Sequence, residues 1–146
     1  MSEEKNIQIF FVGALITSVI GAAMLFFGDF GGYSEGPYSY YVHPEAQYAG
    51  AAPFFIILMG IALLVTAVFS LWGLKDPSVL KENQLKLVLI ISIGVCVTSA
   101  LLAIILLIWF ETFATEWWLD VSFYGSLIGG ILTALFFKLA QDNLKK

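Results

Sequence analysis

The sequence predicts an all-α integral membrane protein, with four transmembrane helices in an antiparallel bundle, both termini inside, and a Gly/Tyr-rich outer loop between helices 1 and 2. Three observations predict it. The hydrophobic set makes up 60% of the 146 residues and charged residues only 12%, about half the charged share of a typical soluble domain. The apolar residues gather into four long blocks, 7–27, 53–74, 87–110 and 121–140, within a single domain covering 1–146. All seven basic residues are lysines, and an even number of spans puts every one of them on the same side.

The first block, IQIFFVGALITSVIGAAMLFF, has Gln8 as its one strongly polar member near the start. At about 1.5 Å per residue it is long enough for a hydrocarbon layer of roughly 30 Å. Met1-Ser2-Glu3-Glu4-Lys5-Asn6 lacks the basic start of a secretory signal, so the block is expected to be retained as a span. The second block opens on Pro53, which suits a first helical turn, and closes near Trp72, an interfacial residue type. For the third, Asp76-Pro77 offers a cap followed by proline, so its helix is expected to begin there and project beyond the membrane. The fourth follows Asp120 as a cap and contains Gly129-Gly130, which admits close packing. Its Ser122, Ser126 and Thr133 can bond within a helix. No run of alternating segments fits an outer-membrane barrel.

Charge placement predicts the threading. Lys5 precedes the first span, Lys75, Lys81 and Lys86 lie in the 75–86 loop, and Lys138, Lys145 and Lys146 end the chain. Short cytoplasmic segments retain lysine, so the termini and the 75–86 loop are expected inside, with 28–52 and 111–120 outside, in a plasma membrane. The outer segments hold Asp29, Glu35, Glu45, Glu111, Glu116 and Asp120 and no base. With no arginine and a net charge of −4, the chain offers nucleic acid no phosphate-gripping surface.

No Asp, Glu, His, Lys or Arg lies deep in any span, which weighs against an ion-coupled transporter. His43 is the only histidine, so a bis-His haem has no ligands. Met24, Met59 and the single Cys96 read as packing residues. His43 with Asp29, Glu35 and Glu45 has no metal-motif spacing, and no nucleophile or phosphate-loop motif occurs. No catalytic, cofactor-binding or metal-ligating residue is therefore assigned, and structural lipids are the only bound groups the composition suggests.

Small residues form the clearest pattern. Gly13, Thr17 and Gly21 recur every fourth residue in the first span, as do Gly125 and Gly129, and Ser126, Gly130 and Ala134, in the fourth. Such rows let helices approach closely, and spans one and four are expected to pack through them or to present them to a partner. The third span carries bulky residues all round and is expected on the outer side of the bundle. The 28–52 loop, with five glycines, two prolines and five tyrosines, predicts a turn-rich cap. Tyr38, Tyr40 and Tyr41 support a short extended segment between turns at Gly36-Pro37 and His43-Pro44. Tyr33, Tyr38, Tyr40, Tyr41, His43, Trp117 and Trp118 are the outer interaction candidates.

The expected role is a non-catalytic structural or accessory subunit of a membrane assembly, contacting other membrane subunits or copies of itself, and lipid. The alternative is a homo-oligomeric channel or transport facilitator, with Thr17, Ser18, Thr66, Ser70, Ser92, Thr98, Ser99, Ser126 and Thr133 converging on one lumen. An interfacial lipid-modifying enzyme ranks lower. The layout, with inside termini and a larger first outer loop, resembles the claudin-type tetraspan proteins, which implies adhesion or auxiliary-subunit roles. The span end around Gly73 reads SLWGL, but the outer loop lacks that family's tryptophan–glycine–leucine–tryptophan signature and paired cysteines, so no binding residue carries over.

Overall fold

A computed structural model describes residues 3–144, with side chains from residue 7 onward; Lys145 and Lys146 lie outside the described residues. The chain forms helices α1 (Glu3–Phe27), α2 (Ala52–Lys75), α3 (Glu82–Phe110) and α4 (Val121–Leu144), and strands β1 (Gly31–Glu35), β2 (Tyr38–Val42) and β3 (Glu116–Leu119). All four helices are long and apolar enough to cross a membrane.

The radial distribution of side chains identifies the surrounding solvent. Ser18, Thr66, Ser70, Ser92, Ser99, Ser126 and Thr133 are fully buried, while Ile9, Ile16, Ile90, Ile104, Ile105 and Ile108 are each at least half exposed. Only 33–39% of each span is enclosed by the bundle, so most of its apolar surface points outward. In water such continuous apolar surface would drive association; against hydrocarbon it carries no penalty. The molecule is an integral-membrane four-helix bundle.

Helix α1 packs against α2 on one side and α4 on the other, while α3 closes the ring against α4 and more loosely against α2. Pro53 lies in the first turn of α2, where its missing N–H costs nothing. Asp120 Oδ1 accepts from the Val121 N–H at 2.6 Å at the start of α4. The start of α3 departs from the sequence expectation. Asp76 instead caps a separate 3-10 turn, Pro77–Val79, and Leu80 and Lys81 return to extended backbone. Helix α3 then begins at Glu82, where the Gln84 side chain accepts from the Lys81 N–H at 2.9 Å. The Asp-Pro signal is local and marks a turn as readily as a helix start; the extended pair after it breaks the helical path.

The three strands are the second departure, since the sequence predicts only one short extended segment in a turn-rich cap. They form an antiparallel sheet of order β2-β1-β3, with Tyr33 opposite Tyr40 on one side and Trp117 on the other. Gly36, with φ +59°, opens the two-residue loop between β1 and β2, a position where a primed hairpin turn requires positive φ. Strand β3 comes from the α3–α4 connection, so the sheet ties both helix-pair loops together at one end. The α2–α3 connection, the start of α1 and the end of α4 share the other end, with Lys75, Lys81, Lys86 and Lys138.

Two apolar clusters fill the interior. One, under the sheet, includes Leu25, Phe30, Tyr33, Val42, Ile56, Met59, Leu102 and Phe110. The other, at the terminus end, includes Ile7, Phe11, Leu80, Leu85, Val88 and Phe137. Between them the bundle is narrowed by small residues and hydroxyls.

Candidate interaction surfaces

The small-residue rows are shared between two seams. On the α1–α4 seam a Cβ added to Gly129 would sit 3.2 Å from both the Gly21 Cα and the Thr17 carbonyl oxygen, so the two backbones touch there. Gly125 lies under the Met24 side chain, and Gly13 lies under the Phe136 ring. Thr17 and Thr133 join hydroxyls across this seam at 2.8 Å. Gly130 and Ser126 turn instead to α3: Gly130 sits against Cys96 Sγ and the Ser92 carbonyl, and the Ser126 and Ser99 hydroxyls meet at 2.7 Å. Ala134 is half-buried. The two rows are offset by one residue, about 100° around a helix, which is why one helix can serve two neighbours.

Two glycines outside these rows do comparable work. Gly60 receives the Phe26 ring and Gly73 the Phe11 ring, fixing α1 on α2. Their separation of thirteen residues matches no four-residue repeat, and the rings they receive come from another helix, so nothing in α2 alone marks them.

On its outer side the α1–α4 seam opens into an apolar cleft of about 250 Å³, lined among others by Ile20, Gly21, Met24, Tyr124, Ile128 and Leu132. It faces the hydrocarbon. Most hydroxyls of the bundle, in contrast, are committed internally. Thr66, Ser70 and Ser92 donate to carbonyls of their own helices at 2.7–2.9 Å. Ser18 does so at 3.1 Å. Among the described residues no buried side-chain nitrogen or oxygen lacks a partner.

At the sheet end the outer-loop candidates separate by strand alternation. Tyr33, only 7% exposed, points to the bundle, stacks on Tyr40 at 5.0 Å and meets Phe110 and Phe113 at 4.8 and 5.0 Å. Burial among these rings pushes its phenol above the ordinary tyrosine value, with Tyr48, Tyr40 and Glu35 adding smaller effects in the same direction. Tyr48 is also pushed up by burial, against the opposing effect of the hydrogen bond it donates to the Tyr41 carbonyl. Trp117, which pairs with Tyr33, donates its indole N–H to Glu111 at 2.8 Å. Tyr41 and Trp118 lie on the opposite face and meet edge to face at 5.7 Å. Tyr38 is exposed at the hairpin tip.

His43 is held locally, its Nδ1 accepting from the Glu45 N–H at 3.2 Å. Among the described residues no three His, Cys, Asp or Glu side chains come together as a metal site. No known protein family, curated protein or solved structure matches the chain.

Proposed function

We propose that this protein is a non-catalytic accessory subunit of a membrane protein assembly. It docks through the outer side of the α1–α4 seam and through its aromatic, acidic sheet end. The single observation that carries this reading is the open apolar cleft along the α1–α4 seam, where glycines bring the two backbones into contact. Glycines hold α1 and α4 so close that the larger Ile20, Met24, Tyr124 and Ile128 form walls around a hollow, and a neighbouring transmembrane helix can lay a ridge of side chains into such a hollow. Within lipid this packing, and not the hydrophobic effect, supplies association energy.

The channel alternative draws less support. A lumen needs hydroxyls free to replace water, and those of Ser18, Thr66, Ser70, Ser92, Ser99, Ser126 and Thr133 are turned into the helix seams or bonded to their own backbones. The lysine distribution supports a plasma-membrane orientation with both termini cytoplasmic and the sheet outside.

The test is extraction from the native membrane in a mild detergent, followed by mass measurement and identification of what migrates with the chain. A defined complex with other membrane subunits is expected, and Ile128→Trp, which fills the cleft, should dissociate it. A species that stays monomeric at high protein concentration overturns the reading.

A further inference from the structure

We propose that the outward face of the sheet is a docking surface for a basic, arginine- or lysine-bearing segment of a partner protein. The inference rests on the accessory-subunit reading and names the chemistry of the partner at this end of the molecule.

The strand register places Tyr41, Gly32 and Trp118 in one row across the sheet and Ser39, Ser34 and Glu116 in the next. Both rows lie on the face opposite Tyr33. Gly32 has no side chain, and a Cβ there would meet the Trp118 ring at 2.6 Å, so the indole covers the middle strand. Tyr41, 43% exposed, meets it from the other edge strand. The result is a two-ring platform beside the exposed Glu116 carboxylate. Aromatic faces attract guanidinium and ammonium groups, and a neighbouring carboxylate strengthens the preference.

The charge around the platform is one-sided. Asp29, Glu35, Glu45, Glu111, Glu116 and Asp120 belong to the two segments that build this end, and no lysine does. The ion pairs found among the described residues, Lys86 with Glu82 and Lys138 with Asp142, are both at the terminus end. A second copy docked end to end would bring two purely acidic ends together, Glu116 of each face included, so self-docking is opposed by like charge, whereas a basic segment is steered in and held. Complementarity therefore selects a cationic partner over another copy of this chain.

The experiment uses the full chain in its native membrane, with photoreactive p-benzoylphenylalanine replacing Tyr41 in one version and Ile20 in another. Adducts are sequenced by mass spectrometry. The Tyr41 position is expected to capture a protein segment of net positive charge, and Glu116→Lys on the exposed edge should lower that adduct about tenfold, with Glu116→Gln in between. Capture of a second copy, of lipid, or of a neutral or acidic segment overturns the inference, as does a basic adduct unchanged by Glu116→Lys. Capture of another subunit from Ile20 but nothing from Tyr41 overturns this inference and leaves the accessory reading standing. Failure to capture protein at both positions overturns both.

Discussion

Two glycines show how position decides what a side chain costs. At Gly129 an added Cβ meets the backbone of α1, which cannot yield without moving the helix. Gly129→Val is expected to destabilise the bundle by about 1–3 kcal/mol, read by unfolding in mixed micelles. At Gly94 an added Cβ meets nothing within 4 Å, and Gly94→Ala should be neutral or stabilising by at most about 1 kcal/mol through helix propensity. Equal losses at both sites would overturn the packing described for α1 and α4. Across the same seam, a double-mutant cycle of Thr17→Val and Thr133→Val should return a coupling of about 0.6 kcal/mol, since hydroxyls in membranes find other partners when unfolded. Tyr33 makes a pH statement. Its phenol is raised in the folded protein, so its contribution is fully present below the ordinary tyrosine value and is lost as pH rises through the folded one. Tyr33→Phe should therefore flatten the alkaline loss of stability seen in an unfolding series above about pH 10. The four-residue repeats made Gly21, Gly125 and Gly129 legible in the sequence, whereas Gly60 and Gly73 are explained only by the rings of Phe26 and Phe11 on another helix.

The helices and the sheet differ in how local their causes are. A span is written in some twenty consecutive apolar residues, and α1, α2 and α4 begin within a few residues of where composition puts them. Strand β3 is four residues, Glu116–Leu119, with no alternation a reader could separate from an interfacial aromatic belt. It becomes a strand because β1 offers it an edge, a partner more than eighty residues away. Its register has a direct test. Cysteines replacing Ser34 and Glu116 face each other across the β1–β3 pair and should form a disulfide on mild oxidation, whereas cysteines at 34 and 117 fall on opposite faces and should not. The 3-10 turn before α3 has a local cause, but one with two readings. Asp76 accepts from the Ser78 hydroxyl at 2.6 Å and its N–H at 2.9 Å, and the hydroxyl bond first, then the backbone bond, holds its carboxyl below the usual range. That contribution is present above the unfolded carboxylate value and lost as pH falls through the depressed one, so protection of the Ser78 amide from exchange should fall only in that acid window.

For the whole molecule, the sheet is a clasp. By pairing β1 with β3 it binds the α1–α2 loop to the α3–α4 loop, closing at one end a ring whose α2–α3 side is its loosest. Threading at this scale is checked by labelling intact cells with a membrane-impermeant maleimide in a Cys96→Ala background. Cysteine at Ser39 should react from outside and cysteine at Ser78 only after permeabilisation; the reverse would invert the orientation read from the lysines. The sequence by itself determined the four-span character, the segregation of lysines from the acidic loops and the close-packing rows, because hydrocarbon penalises every polar group in a contiguous stretch and each penalty is paid locally along the chain. Only the tertiary structure decided which neighbour each small-residue row serves, where the 3-10 turn hands over to α3, and that two loops distant in sequence make one sheet with a charged aromatic face. Those outcomes depend on partners the chain meets only after its helices have packed.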